Sequence, residues 1–210
     1  VVDGLLQLMG QAKKDLLIVS PYFVPGPDMK QAFAEARARG VRVRVLTNSL
    51  ASNDAPIAHA GYARHRPELL ATGMELYEMR SELSGLRSVF QGTGSSGVTG
   101  SSGDSKAMLH SKLLILDGRL LVIGSMNLDL RSQLQNTEIA LLIRSRSLSA
   151  RATEQIEAAM EDAAWRVEQD SEGRLVWRAP KDSGLKDVTA EPDTSAPLRW
   201  LVRILGWFAP

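Results

Sequence analysis

Runs of adjacent aliphatic residues alternate along this chain with longer stretches in which apolar side chains recur every three or four positions. Residues 5–14 have the helical spacing, and residues 16–20 are a compact apolar run of the kind that forms a strand covered on both faces. Val41-Arg42-Val43-Arg44-Val45-Leu46 alternates strictly, which predicts a strand with one face wet or paired to another element. Helices are predicted over 28–39, closed by Gly40, and over 55–71, stopped by Gly73, with a third strand at 74–79. This β-α-β-α-β order argues for helices packed on a largely parallel sheet. Residues 113–116 and 120–123 read as two short buried strands joined at Asp117-Gly118, a dipeptide favoured in tight hairpin turns. A short helix or turn at 128–134, another buried strand at 137–143 and a helix at 148–164 follow. Two small strands are expected within 165–177, around Ser171-Glu172-Gly173.

The breaks in this pattern carry as much meaning as the elements. Residues 21–27 hold three prolines and a glycine, a stiff loop that offers Tyr22 and Phe23 at a strand's end. It is a strand-to-helix connector or a pocket wall, since ligand sites in open α/β sheets gather beyond the carboxyl ends of the strands. Residues 47–54 are polar and lie where the rim of such a pocket would be. Residues 92–103 are dominated by Gly, Ser and Thr; they lack the spacing of a nucleotide-binding loop and read as a flap beside a site or a plain loop. Residues 180–197 are polar and proline-containing, an arm or linker. Residues 198–208 place Arg199 and Arg203 four apart among aliphatic and tryptophan residues, which fits a helix lying in a membrane interface or docked on a protein partner. The expected organisation is a domain over 1–179 followed by a surface arm and amphipathic tail helix over 180–210.

Composition narrows the chemistry. With no cysteine and three histidines, zinc–thiolate sites, cysteine nucleophiles and histidine-rich metal clusters drop out. A net charge of +1 gives no strong field to draw nucleic acid. No apolar run approaches the roughly 20 residues of a membrane span. The chain opens within what reads as a helix leading to a strand, which suggests a piece of a longer protein.

The candidate chemistry lies between His110 and Asn127. His110 and Lys112 are two apart, so on a strand they would face one pocket, an imidazole beside a permanent cation. Neutral imidazole can attack phosphorus and its charged form can donate a proton. Lys112 would meet non-bridging oxygens, and Ser125 and Asn127 would add neutral hydrogen bonds. A catalytic histidine needs its other ring nitrogen held, usually by a carboxylate, and Asp117 and Glu138 are on offer. The odd offset of Asp117 from His110 points it to the opposite strand face. Asp117 is therefore expected to brace the hairpin and Glu138 to hold the imidazole. His59 and Tyr62 share a helix face near the rim loop, making His59 a candidate substrate contact, whereas His65, between Arg64 and Arg66, reads as a surface or core residue.

The whole pattern H-x-K-x4-D-x6-G-S-x-N, met by His110, Lys112, Asp117, Gly124, Ser125 and Asn127, resembles the signature of the phospholipase D superfamily. Glu138, in Asn136-Thr137-Glu138, sits where that family places its histidine-orienting glutamate. The Pro21–Gly26 loop, the 40–53 segment, His59-Ala60-Gly61-Tyr62-Ala63-Arg64 and Glu191-Pro192-Asp193-Thr194-Ser195 look like the bacterial cardiolipin synthase branch, C type. The resemblance implies an α/β fold with a mainly parallel or mixed sheet flanked by helices on both faces. It implies a phosphodiester exchange on phospholipids through a phosphohistidine, with no cofactor or metal, peripherally at a bacterial membrane, the inner one. His110, Lys112, Asp117 and Glu138 would be the catalytic set, with Ser125, Asn127, His59 and Tyr22 near substrate. Such enzymes use two facing H-x-K motifs, and this chain has one. It looks like the C-terminal half of one, in which His110 is the general acid and base, partnered by an N-terminal half or a second copy. A membrane surface would be met through the tail helix, and nucleic acid is not the expected partner. The competing expectations are a single-motif nuclease or phosphodiesterase active as a homodimer, and a non-catalytic half that binds membrane or partner.

Overall fold

The computed structural model describes residues 2–81, 109–125, 128–129 and 139–207. The glycine- and serine-rich stretch 92–103, Asn127 and Glu138 fall outside the described residues. The first half of the chain runs α1 (Val2–Gly10), β1 (Asp15–Val19), β2 (Phe23–Val24), α2 (Pro27–Ala38), β3 (Arg42–Asn48), α3 (Pro56–Ala71) and β4 (Glu75–Met79). The second runs β5 (Leu113–Leu116), β6 (Leu120–Gly124), β7 (Leu128–Asp129), β8 (Ala140–Arg144), α4 (Arg146–Ala163), β9 (Ala164–Gln169), β10 (Leu175–Arg178) and α5 (Ala196–Leu205).

Eight strands form one sheet in the order β10-β9-β4-β3-β1-β5-β6-β8, while β2 and β7 pair separately. Strands β1, β3 and β4 are parallel, as the helical crossovers between them require. Every other pairing in the large sheet is antiparallel, so the sheet is mixed rather than largely parallel. Connection length accounts for the two hairpins: the links between β5 and β6 and between β9 and β10 are turns, too short for a crossover.

Alternation sends each strand's side chains into two cores. Leu16 and Ile18 of β1 join Met29 and Phe33 of α2 and Leu69 of α3, whereas Leu17 and Val19 meet Ile156, Met160 and Ala163 of α4. Helices therefore cover both faces. The alternating strand β3 has its polar face paired: Arg44 is buried, with ion pairs to Asp15 (2.8 Å) and to Glu157 on α4 (2.5 Å). Gly40 and Gly73 end α2 and α3 with φ near +80°, the left-handed conformation that suits glycine.

The expected cover of one strand is overturned as well. The strand predicted buried at 137–143 is β8, at the sheet's edge, with Leu141 60% exposed and Ile139, just before it, 77% exposed. An apolar run does not say which molecule covers it, and no element among the described residues does. The segment expected at 128–134 begins instead with β7, which pairs in parallel with Phe23 and Val24. The rest of that segment lies outside the described residues.

Candidate active site at the carboxyl edge of the sheet

Antiparallel pairing brings the two ends of the motif together. In the β5–β6 hairpin, Leu113 faces Ile123 and Leu116 faces Leu120. One step further out, the Gly124 N–H donates to the Lys112 carbonyl at 3.1 Å. Lys112, Gly124 and Ser125 thus share one end of the hairpin, and Asp117-Gly118 turns at the other. Because Leu113 also pairs with Val19 at the last position of β1, this end is the carboxyl edge of the parallel strands. Gly124 is required there: a Cβ would lie 2.8 Å from the Ile139 carbonyl oxygen. Ser125 fastens the same approach, donating its N–H to Ile139 O (3.0 Å) and accepting from Ile139 N at its hydroxyl (3.1 Å).

His110 is exposed at this edge and Lys112 is half-buried. Both precede β5 instead of lying on it, so the strand rule that set them side by side does not apply. The Lys112 ammonium instead donates to the His110 carbonyl at 3.1 Å, which keeps the cation beside the imidazole-bearing backbone. Leu109, immediately before, is buried and gripped by Asn48 at the end of β3. Its N–H donates to Asn48 Oδ1 (2.9 Å), and Asn48 Nδ2 donates to its carbonyl (3.3 Å). At the far end, the Asp117 carboxylate accepts the backbone N–H groups of Lys13, Lys14 and Asp15 at 2.8–3.2 Å. Burial works to raise its pKa, but these backbone bonds outweigh it and hold the carboxyl below its ordinary value. Asp117 sits in the left-handed region, at φ +50°, and braces the turn against β1.

The sequence of this site matches a family model described as cardiolipin synthase, PLD-like domain, over residues 5–160. The chain belongs to that family. It is 38% identical over 203 residues to cardiolipin synthase C of Escherichia coli, covering 95% of this chain and 41% of that protein. It is 31% identical over 141 residues to cardiolipin synthase A of Pectobacterium carotovorum, covering 67% of this chain and 24% of that one. The chain therefore spans well under half the length of these relatives. Among solved structures, the phospholipase D family member Nuc from Salmonella typhimurium superposes with TM-score 0.56 at 19% identity, over 80% of this chain and 91% of Nuc. The phosphatidylserine synthase of Haemophilus influenzae does so at 0.53 and 19%, over 77% of this chain and 35% of that one. At such identities the likeness concerns the fold.

Within this cardiolipin synthase-like domain, Tyr22 stays at the edge, half-buried, its phenol donating to Asp54 across the rim loop. His59 does not. Its side chain is fully buried, and Arg66 Nη2 donates to its Nε2 at 2.6 Å, with Glu191 Oε1 3.3 Å from the same nitrogen. The shared face with Tyr62 is real, the rings meeting edge-on at 5.7 Å, but it points into the core. His59 is thus a structural residue, because α3 turns that face inward.

Around it lies a buried charge cluster that sequence reasoning missed. Arg66 places Nη2 2.6 Å from Glu191 and Nε 3.0 Å from Glu78, the latter at ion-pair distance without hydrogen-bond alignment. Its guanidinium also stacks near Tyr62 and Trp177. Tyr62 and Trp177 donate to the two Glu78 oxygens at 3.0 and 2.8 Å. Burial raises the pKa of Glu78 against the pull of Arg66. Glu191 is pushed up by burial too, but Arg66 prevails and holds it at about 2. The available signal was Glu78 between Tyr77 and Met79 in a strand and Glu191 in an arm that looked like linker. His65 is half-buried against Glu68 (3.4 Å).

Beside Lys112, an open groove of about 420 Å³ runs between α1 and the sheet, lined by Leu5, Leu8, Val19, Leu114, Val122 and Leu142. No helix among the described residues is long and apolar enough to cross a membrane.

Proposed function

We propose that this chain is the C-terminal half of a phosphatidyltransferase that exchanges alcohols on a phospholipid phosphodiester, as the name of its cardiolipin synthase relatives suggests. The observation that carries the reading is His110, exposed beside the Lys112 cation on an edge whose next strand, β8, leaves Ile139, Leu141 and Leu142 uncovered. That is how half of a two-motif site would look before its other half is joined. In the first step a histidine of the other half attacks phosphorus and forms a P–N bond, and the leaving alkoxide takes its proton from His110. In the second, His110 accepts the proton of the incoming lipid alcohol, whose oxygen attacks phosphorus and breaks the P–N bond. Lys112 balances charge on the non-bridging oxygens, with Ser125 and Asn127 as neutral donors, Glu138 orienting the imidazole, and Tyr22 at the rim. Asp117 serves this set from a distance, by fixing the hairpin. The reaction would take place at a bacterial membrane, met by the tail helix.

A second copy of the chain is the other source of a facing histidine, favoured by the 91% coverage of Nuc, which makes this half the size of a whole related protein. Both versions are tested with the full-length protein and phospholipid carrying a labelled headgroup. His110→Ala is expected to abolish headgroup release with an unchanged circular dichroism spectrum. Retained release would remove His110 from the chemistry, and a mass of two chains for the active species would favour the second-copy version.

A further inference from the structure

Helix α5 is apolar on two opposite sides, and only one of them is used by the fold. Val202 is buried, and Leu198 and Leu205 pack beside it against Leu50 and Ala60. The close approach continues at Gly206, where an added Cβ would come within 3.7 Å of the Ala60 carbonyl, and Arg64 on α3 donates to the Gly206 carbonyl at 3.4 Å. At 100° per residue, Trp200 and Ile204 fall about 40° apart on the side away from Val202, and Trp207 follows in the turn just past the helix. They are 69%, 40% and 85% exposed, and Leu201 flanks them at 48%.

Nothing in the domain requires this ridge, and its chemistry differs from that of the other uncovered surface. The β8 edge is aliphatic, made by Ile123, Ile139, Leu141 and Leu142. The α5 ridge instead carries two indoles, which combine an apolar body with a polar N–H, and Arg203 beside them is exposed. The helix contains two arginines and no acidic residue. Arg199 is tied inward to the Thr194 carbonyl at 2.5 Å, so Arg203 is the cation of the helix itself that faces out beside the ridge. Indoles with adjacent arginine suit the headgroup layer of an anionic bilayer.

The helix also has a fixed place relative to the motif. Its inner face rests on Leu50, two residues beyond Asn48, and Asn48 grips Leu109, the neighbour of His110. The arm leading to it is pinned by Glu191 on Arg66 and by a bridge between Val188 and Trp177. Helix and histidine thus belong to the same carboxyl edge of the sheet.

We propose that the Trp200–Ile204–Trp207 ridge inserts into the surface of an anionic phospholipid membrane, with Arg203 on the headgroups, and so presents the His110 edge to lipid. The inference rests on a lipid substrate but is read out by binding alone. In the full-length protein, Trp200→Ser/Trp207→Ser is expected to lower sedimentation with vesicles of phosphatidylglycerol and phosphatidylcholine about tenfold. Arg203→Glu should remove the preference for those vesicles over pure phosphatidylcholine. Both tryptophans face solvent, so the thermal midpoint should not move. Turnover of a monomeric short-chain phosphatidylglycerol should persist in the double variant while turnover on vesicles falls. Sedimentation equal to wild type would overturn the proposal. So would a change in oligomeric mass with vesicle binding intact, which would give the ridge to a protein partner. If wild type sediments but turns over neither substrate, the proposed reaction fails and the docking surface stands.

Discussion

Replacing Arg66 by methionine removes the guanidinium from between two buried carboxyl groups, and its consequence can be worked out from the structure. Glu191 sits at about 2 against an ordinary 4.5, a gap of roughly 2.5 pH units. At ~1.4 kcal/mol per unit this corresponds to about 3 kcal/mol of stability. The raised pKa of Glu78 works in the other direction, so that figure is an upper bound for the pair. It lies at the low end of the ~3–5 kcal/mol that breaking a buried ion pair commonly costs. The pH dependence gives a second, sharper test. In the native protein Glu191 binds its proton less readily than in the unfolded chain. Its contribution is therefore complete above about pH 4.5 and drains away as pH falls toward 2. Without Arg66, burial outweighs the hydrogen bonds that Tyr62 and Trp177 still give Glu78, the folded pKa values of both carboxyls rise above the unfolded ones, and the sign reverses. The penalty is then largest at neutral pH and fades as the medium acidifies. Urea unfolding followed by circular dichroism should find Arg66→Met less stable than wild type by about 3 kcal/mol at pH 7. The difference should narrow at pH 5. The triple variant Arg66→Met/Glu78→Gln/Glu191→Gln should regain most of the loss, since it leaves no buried charge unpaired. A single variant within about 0.5 kcal/mol of wild type at pH 7, or a difference that widens at pH 5, would refute this account of the cluster.

Two further substitutions test the frame that holds the motif. Asp117→Ala removes the acceptor of three backbone N–H groups and puts a Cβ-bearing residue with no local hydrogen bond at φ +50°; a loss of about 2–3 kcal/mol is expected in urea unfolding. Asp117→Asn, which keeps an acceptor and tolerates that backbone, should lose less, and equal losses would argue against the brace. Gly124→Ala drives a methyl toward the Ile139 carbonyl and should loosen β8 at a cost of about 1–3 kcal/mol. Hydrogen exchange should show faster exchange of the β8 amides alone, and an unchanged rate there would refute the close-approach argument.

The alternating and helical periodicities made β1, α2, β3, α3, β4, the β5–β6 hairpin and α4 legible to within a residue or two, because each buries its own apolar face within the domain. Direction and cover were less legible. Largely parallel pairing follows from counting β-α-β units, yet after β4 the chain leaves that scheme and adds antiparallel strands, two of the pairs (β5–β6 and β9–β10) as hairpins. At β8 the same aliphatic pattern that buries β1 stands exposed, since hydrophobicity records that a face wants a cover and not where the cover comes from. The motif residues His110, Lys112, Gly124 and Ser125 were readable from spacing, and pairing brings Lys112, Gly124 and Ser125 to the end of the hairpin that His110 precedes. His59 shows the opposite failure: a histidine near a rim loop looks the same in sequence whether its helix face turns to solvent or to a buried arginine. Arg66, Glu78 and Glu191 lie more than a hundred residues apart at the extremes, so nothing local could join them. Asn48 was one polar residue among several in its loop, and only the position of Leu109 distinguishes it.

That last contact bears on the proposed reading, in which this edge is half of an active site awaiting its partner. An exposed histidine on a free loop would lose orientation each time the loop moved, and the entropy of ordering it would fall on the reaction. Here the hairpin is fastened at both ends to the centre of the sheet, by Asp117 against the start of β1 and by Asn48 against Leu109. His110 is thus exposed while its backbone anchor is buried. The uncovered strand β8 joins this edge through the Gly124–Ala140 pairing, which the glycine keeps close. A sheet edge this apolar, with no proline in β8, is a poor surface to leave in water. On the proposed reading, whatever covers β8 also arrives beside His110. The same contact that buries the aliphatic edge would then bring the second histidine within reach of the phosphate, which ties assembly of the active site to formation of the interface.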